Sequence, residues 1–214
     1  MSVIAPTILA ETPDDYKASV ERLNGFAKRV HIDISDGEFA PTFTVGAAQV
    51  WWPQEWVVDI HAMVARPSEH LETLLSLKPH LIVFHAEVEE DLVQTLQHVK
   101  KFGIKAGVAL LRSTVPSSMQ PAIEVADHVM IFSGELGKYG GTASLMQLEK
   151  VRLIRAINQG VEIGWDGGVN IENAYSIAQG GVDVLNVGGT IARADNPEES
   201  YTALVNEIQK HRVV

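Results

Sequence analysis

Apolar residues recur along this chain with two periods. Short runs in which most positions are apolar occupy residues 3–9, 29–34, 56–64, 80–86, 104–111, 128–132, 161–165 and 182–187. Runs of that length, rich in Val, Ile and Leu, are what buried strands require. Between them, residues 14–27, 68–77, 89–102, 143–158 and 171–179 space their apolar side chains three and four positions apart, as on one face of a helix. Residues 197–211 predict a closing helix that opens on Pro197. The stretches after Thr44 and Val115 are less regular. Strands alternating with helices require parallel strands joined by right-handed crossovers, and no long insertion interrupts the units. The pattern predicts a (β/α)8 TIM barrel, with an open doubly wound sheet as the alternative.

Composition narrows this reading. There is no linker, low-complexity tract or tandem repeat, so residues 1–214 are read as one barrel domain. Apolar residues make up 46% of the chain, enough for a large core. Seventeen basic and 27 acidic residues give a formal net charge of −10, a field that repels nucleic acid and anionic membrane. Phosphate must therefore be captured locally. The chain has no cysteine, so disulfides and thiolate metal sites are excluded. No targeting segment is readable and no apolar run nears the ~18 residues of a membrane span. A cytoplasmic location is the expectation.

In TIM barrels, chemistry gathers at the C-terminal ends of the strands. His31 and Asp33 are two residues apart on the second predicted strand, so both point into the barrel while Ile32 faces the helices. The third strand carries His61, the fourth His85 with Glu87 just beyond, and the seventh ends at Asp166. Ionisable groups converging in a barrel interior need a compensating partner. Two imidazoles and two carboxylates, from His31, Asp33, His61 and Asp166, suit one divalent metal ion: Zn, Fe, Mn or Co. His85 and Glu87 would then stand behind the ligands or face the substrate. Asp59 reads as a structural, paired carboxylate.

Glycine clusters follow three strands: residues 134–142, then Gly167-Gly168 and Gly188-Gly189-Thr190. Loops after the seventh and eighth strands are where such barrels hold phosphate. The first cluster lacks dinucleotide-fingerprint or P-loop spacing, so no nucleotide is inferred. Lys138 is placed either on phosphate or in solvent. Trp51, Trp52 and Trp56 read as packing of a helix on the barrel, or as a subunit contact.

These motifs resemble those of the ribulose-phosphate 3-epimerase family. They run in order from Ala5-Pro6-Thr7-Ile8-Leu9 through His31-Ile32-Asp33-Ile34-Ser35-Asp36-Gly37, Asp59-Ile60-His61-Ala62-Met63 and Phe84-His85-Ala86-Glu87 to Asp166-Gly167-Gly168-Val169. The resemblance implies metal ligation by His31, Asp33, His61 and Asp166, and proton transfer by the pair Asp33 and Asp166. It implies substrate contacts at Thr7 and His61, and phosphate contacts at Gly140, Gly141, Gly167, Gly168, Gly189 and Thr190. The implied reaction interconverts D-ribulose 5-phosphate and D-xylulose 5-phosphate, with a homo-oligomer as the expected assembly.

The chain departs from the family at Ser35, Thr42, Ala62, Leu111-Arg112 and the loop after the sixth strand. Ser35 and Ala62 are expected to leave room and polarity in the pocket, which motivates a hexulose 6-phosphate 3-epimerase such as one acting on allulose 6-phosphate. A non-catalytic sugar-phosphate or metal-binding homologue is the third reading. A decarboxylase or aldolase is disfavoured because Lys105 begins its strand, on the wrong face of the barrel.

Overall fold

A computed structural model describes residues 1–210, and the predicted end of the last helix at His211 lies outside the described residues. The strands are β1 (Val3–Ile8), β2 (Arg29–Ser35), β3 (Val57–Met63), β4 (Leu81–His85), β5 (Lys105–Leu110), β6 (His128–Phe132), β7 (Glu162–Asp166) and β8 (Val184–Val187). Each pairs in parallel with the next, and β1 pairs with β8 from Val3↔Val184 to Pro6↔Val187. That last pairing closes the barrel and overturns the open-sheet alternative.

The helices are α1 (Pro13–Leu23), α2 (Pro67–Ser76), α3 (Leu92–Lys101), α4 (Gln120–Val125), α5 (Glu149–Ile157), α6 (Ala174–Gln179), α7 (Gly189–Ala192) and α8 (Pro197–Ile208). Thr12, Asp91 and Asn196 cap α1, α3 and α8 by accepting the N–H groups of Asp15, Gln94 and Glu199. Among the described residues no helix is long and apolar enough to cross a membrane.

Several helices are shorter than their periodicity. The stretch after Thr44 forms only a 3₁₀ turn, Ala47–Gln49, and the one after Val115 forms another, Pro116–Met119, running into α4. The helix expected over 143–158 starts as 3₁₀ at Leu145 and turns α-helical at Glu149. Its first residues are held by β6: the Ser144 N–H donates to Ser133 Oγ at 2.9 Å. The helix expected from residue 171 begins at Ala174, because Asn170 Oδ1 first takes the N–H groups of Glu172 and Asn173 in a side-chain turn.

Strand parity sorts the side chains. Outward residues such as Ile32, Ile60, Ile82, Val108, Ile131 and Ile163 form the annular core under the helices. Inside, Leu81, Val83, Ala109, Met130 and Phe132 fill one half of the barrel. The other half is polar at both ends. At the floor, Arg29 Nε donates to Asp59 Oδ2 at 2.6 Å, its two terminal nitrogens donate to Glu162 at 2.8 and 2.7 Å, and His128 Nδ1 lies 2.8 Å from Glu162 Oε2. Asp59 therefore has the structural role expected of it. Gly164 makes room for this arrangement, since a Cβ there would lie 2.4 Å from His128 Nε2. Trp56 is buried, and Trp51 meets Tyr16 of α1 edge-on at 6.2 Å, so this cluster packs a helix against the barrel.

Candidate active site

Strand register brings the predicted residues together at the other end. Thr7 pairs with His31, and Asp33 pairs with His61, while Asp166 closes β7 on the facing wall. His31 Nε2 lies 3.3 Å from Asp33 Oδ1 and 3.7 Å from Asp166 Oδ2. His61 Nδ1 lies 2.9 Å from Asp33 Oδ1 and 3.7 Å from Asp166 Oδ2. One donor atom from each of the four buried residues falls within 4.8 Å of all the others.

His31 Nε2 is buried yet makes no hydrogen bond. Leaving such an atom without a partner costs about 1–3 kcal/mol. Two imidazoles and two carboxylates converging around it fit a divalent cation.

The carboxylates differ in how readily they take up a proton. Burial opposes ionisation of Asp33, but the His31 and His61 imidazoles beside it outweigh burial and hold its carboxyl well below the usual range. Burial, reinforced by the negative charge of Asp33, pushes Asp166 up to about 6. His85 is lowered to about 4 by burial and is neutral near pH 7. Its Nε2 lies 2.8 Å from His61 Nε2 and its Nδ1 3.2 Å from Glu87 Oε2. Glu87 also accepts from the Leu111 N–H at 3.0 Å and from the Thr114 hydroxyl. Neither His85 nor Glu87 lines the cavity, so both stand behind His61.

Above this cluster opens a cavity of about 240 Å³ walled by Thr7, Leu9, Asp33, Met63, Phe132 and Asp166. Gly140, Gly141, Gly167, Gly168, Gly189 and Thr190 form its far side. Gly167 has φ +101°, and a Cβ on it would lie 2.0 Å from Gly134 N, so the loops after β6 and β7 touch there through bare backbone. Thr7 Oγ1 is buried and without a partner at the cavity wall. The Thr190 hydroxyl instead donates to Val169 O at 2.7 Å. His61, expected to contact substrate, is fully buried and stands behind the cavity-lining carboxylates Asp33 and Asp166.

Two departures from the family lie elsewhere than expected. Ala62 is one position out of phase with His61 and faces the annular core. Ser35 is buried under the β2 loop, its N–H donating to Thr44 Oγ1 at 2.8 Å, and does not line the cavity. Thr42 packs on Gly137, while Leu111 and Arg112 border a separate groove with Pro41 and Leu136. Ala62 therefore adds no room to the pocket, and Ser35, although on the strand face of His31 and Asp33, lies outside the cavity wall that its neighbour Met63 reaches.

Sequence reasoning missed Tyr139, Lys150 and Arg193, and gave Arg112 only as a departure from the family. Tyr139 Oη accepts the Leu9 N–H at 2.6 Å and donates to Thr7 O at 3.1 Å, tying the β6 loop to β1. Arg112 donates to the carbonyls of Ser133 and Thr142 at the two ends of that loop. Buried Lys150 in turn donates to Leu111 O at 2.6 Å. Arg193 Nη2 donates to Tyr139 O at 2.9 Å. Lys138 is mostly exposed and pairs with Glu135 at 3.4 Å. The only signal for Tyr139 was its place between glycines.

The model of the ribulose-phosphate 3 epimerase family matches residues 3–192. The ribulose-phosphate 3-epimerase of Schizosaccharomyces pombe is 27% identical over 214 residues, covering 97% of this chain and 94% of that protein. That of Helicobacter pylori is 30% identical over 211 residues, covering 95% and 96%. Among solved structures, 3-hexulose-6-phosphate synthase from Salmonella typhimurium superposes with a TM-score of 0.73 at 14% identity, over 98% of this chain and 99% of that one. The 3-keto-L-gulonate-6-phosphate decarboxylase from Vibrio cholerae gives 0.73 at 11% identity, over 97% of both chains. At such identity the likeness concerns the barrel alone.

Proposed function

Because the chain belongs to the ribulose-phosphate 3-epimerase family, and so is an isomerase of phosphorylated ketoses, we propose that it inverts C3 of D-ribulose 5-phosphate to give D-xylulose 5-phosphate. The observation that carries this reading is the pair of buried carboxylates, Asp33 on β2 and Asp166 on β7, facing one cavity from opposite walls.

Removing the C3 proton from one side and returning a proton from the other requires two such groups, one ionised and one protonated. The ionised carboxylate takes the proton on C3, next to the ketone, and electrons move into the carbonyl to give an enediolate. The protonated carboxyl then delivers its proton to the opposite face of C3. Each turnover exchanges the two protonation states, and solvent resets them. A divalent cation held by His31, Asp33, His61 and Asp166 would supply positive charge to the enediolate oxygens. Thr7 offers a hydroxyl to the sugar, and the backbone N–H groups around Gly140, Gly141, Gly167, Gly168 and Gly189, with Thr190, would surround the phosphate. Leu9, Met63 and Phe132 give the cavity wall an apolar portion. A cytoplasmic location and a homo-oligomer belong to the same proposal, the latter readable by sedimentation.

The test is turnover in D₂O with a panel of pentulose and hexulose phosphates. Wild-type protein should place one solvent deuterium at C3 of xylulose 5-phosphate, and Asp33→Asn and Asp166→Asn should each lose this while staying folded. Faster turnover of a hexulose 6-phosphate would replace the pentulose substrate. Unchanged exchange in both variants would sink the mechanism.

A further inference from the structure

Backbone amides alone give the phosphate subsite no net charge, and the chain as a whole carries a formal net charge of −10. Among the described residues lining the cavity, only Lys138 and Arg193 are cationic. Lys138 is already paired with Glu135 and points largely into solvent. The side chain of Arg193, just past α7, makes one hydrogen bond, to the carbonyl of Tyr139, and no carboxylate pairs with it among the described residues.

Its guanidinium lies directly over the glycines. A Cβ built on Gly189 would sit 3.4 Å from Arg193 Cζ and 3.6 Å from Gly140 N. A Cβ built on Gly140 would sit 3.5 Å from Arg193 Nη2. Two glycines without side chains, a backbone amide and a guanidinium edge thus border one small space between the β6 and β8 loops. An arginine with donors left over, beside backbone N–H groups, matches a phosphate dianion, which accepts several hydrogen bonds and brings the missing countercharge.

We propose that Arg193 binds the substrate phosphate across this glycine pair, and that it makes the pocket select phosphorylated over neutral ketoses. The proposal rests on the reading of the site as one for a ketose phosphate. Because the same guanidinium holds the Tyr139 carbonyl, phosphate bound there would also brace the β6 loop against the β8 loop.

The experiment titrates inorganic phosphate into wild-type protein, Arg193→Met, Arg193→Lys and Lys138→Met by calorimetry, and measures ribulose 5-phosphate kinetics in parallel. Arg193→Met should weaken phosphate binding and raise KM by the same factor, roughly 10- to 100-fold for a lost charge-assisted contact, with kcat within about threefold. Arg193→Lys should recover part of both, and Lys138→Met should change phosphate binding less than Arg193→Met does. Phosphate binding that is absent in wild type, unchanged in Arg193→Met, or lost chiefly in Lys138→Met overturns the proposal. A fall in kcat with phosphate binding intact does so too, since it would make Arg193 a loop-positioning residue. Phosphate binding that depends on Arg193 without turnover of any ketose phosphate would instead count against the proposed function alone.

Discussion

Asp33 and Asp166 approach His31 from opposite walls of the barrel, at 3.3 and 3.7 Å from its Nε2, yet they differ in how readily they take up a proton. Asp33 is held ionised by two imidazoles, while Asp166 is raised to about 6 by burial and by Asp33 itself. In the cation-free protein one carboxyl of the pair is thus the first to take up a proton as pH falls.

Cation affinity should follow that proton. Below about pH 6 Asp166 is protonated in the cation-free protein and must release its proton on binding. Burial opposes protonation of His31, but the neighbouring carboxylates outweigh it and raise its pKa, so it holds a second proton to be displaced. Zn²⁺ or Mn²⁺ affinity by calorimetry should therefore drop at least ~tenfold per pH unit below about 6. Affinity that stays level from pH 7.5 to 5 would remove Asp166 from the ligand set.

The Tyr139 hydroxyl should stabilise the closed mouth. Tyr139→Phe leaves the half-buried Leu9 N–H without its acceptor and frees Thr7 O. A loss of about 1–2 kcal/mol in denaturant unfolding is expected, with a several-fold higher KM. Identical unfolding curves would show that the β6 loop is held without the phenol.

Gly164→Ala should damage the floor. The added methyl would lie 2.4 Å from His128 Nε2, forcing the ring off Glu162. Overpacking of this kind costs about 1–3 kcal/mol. Shortening the ring partner in Gly164→Ala/His128→Ala should recover part of that, and a double variant no more stable than the single would point to strain in the strand instead.

Acid should weaken the same floor through Glu162. Burial opposes its ionisation, but Arg29 and His128 outweigh burial and hold its carboxyl well below the usual range. A depressed carboxyl contributes stability that is present above the unfolded value of about 4.3 and is lost as pH falls below it. Glu162→Gln should flatten unfolding free energy against pH below about 4.5, relative to wild type. Parallel profiles would contradict the pairing.

Strand parity explains what was legible. His31, Asp33, His61 and Asp166 converge because alternation puts polar residues two apart on one face, a local rule that survives without knowing the fold. The same rule applied to Ala62 would have placed it outside the pocket. Tyr139, Arg112 and Arg193 act through backbone carbonyls of distant loops, and such contacts leave no spacing in the sequence. Helix starts moved for a related reason: Ser133 and Asn170 claimed backbone donors that periodicity had assigned to helices.

The ion network of Arg29, Asp59, Glu162 and His128 and the cluster around Asp33 and Asp166 share no residue. On β7, Glu162 and Asp166 are four positions apart, about 13 Å. At that separation energetic effects usually add independently, whereas Asp59 pairs in register with His31 and helps raise its pKa, so the two ends meet at that pair. Substitutions on β7 that retune the mouth toward another sugar can therefore be screened in a background with a strengthened Glu162 pairing, whereas a change at Asp59 has to be read together with its neighbour His31.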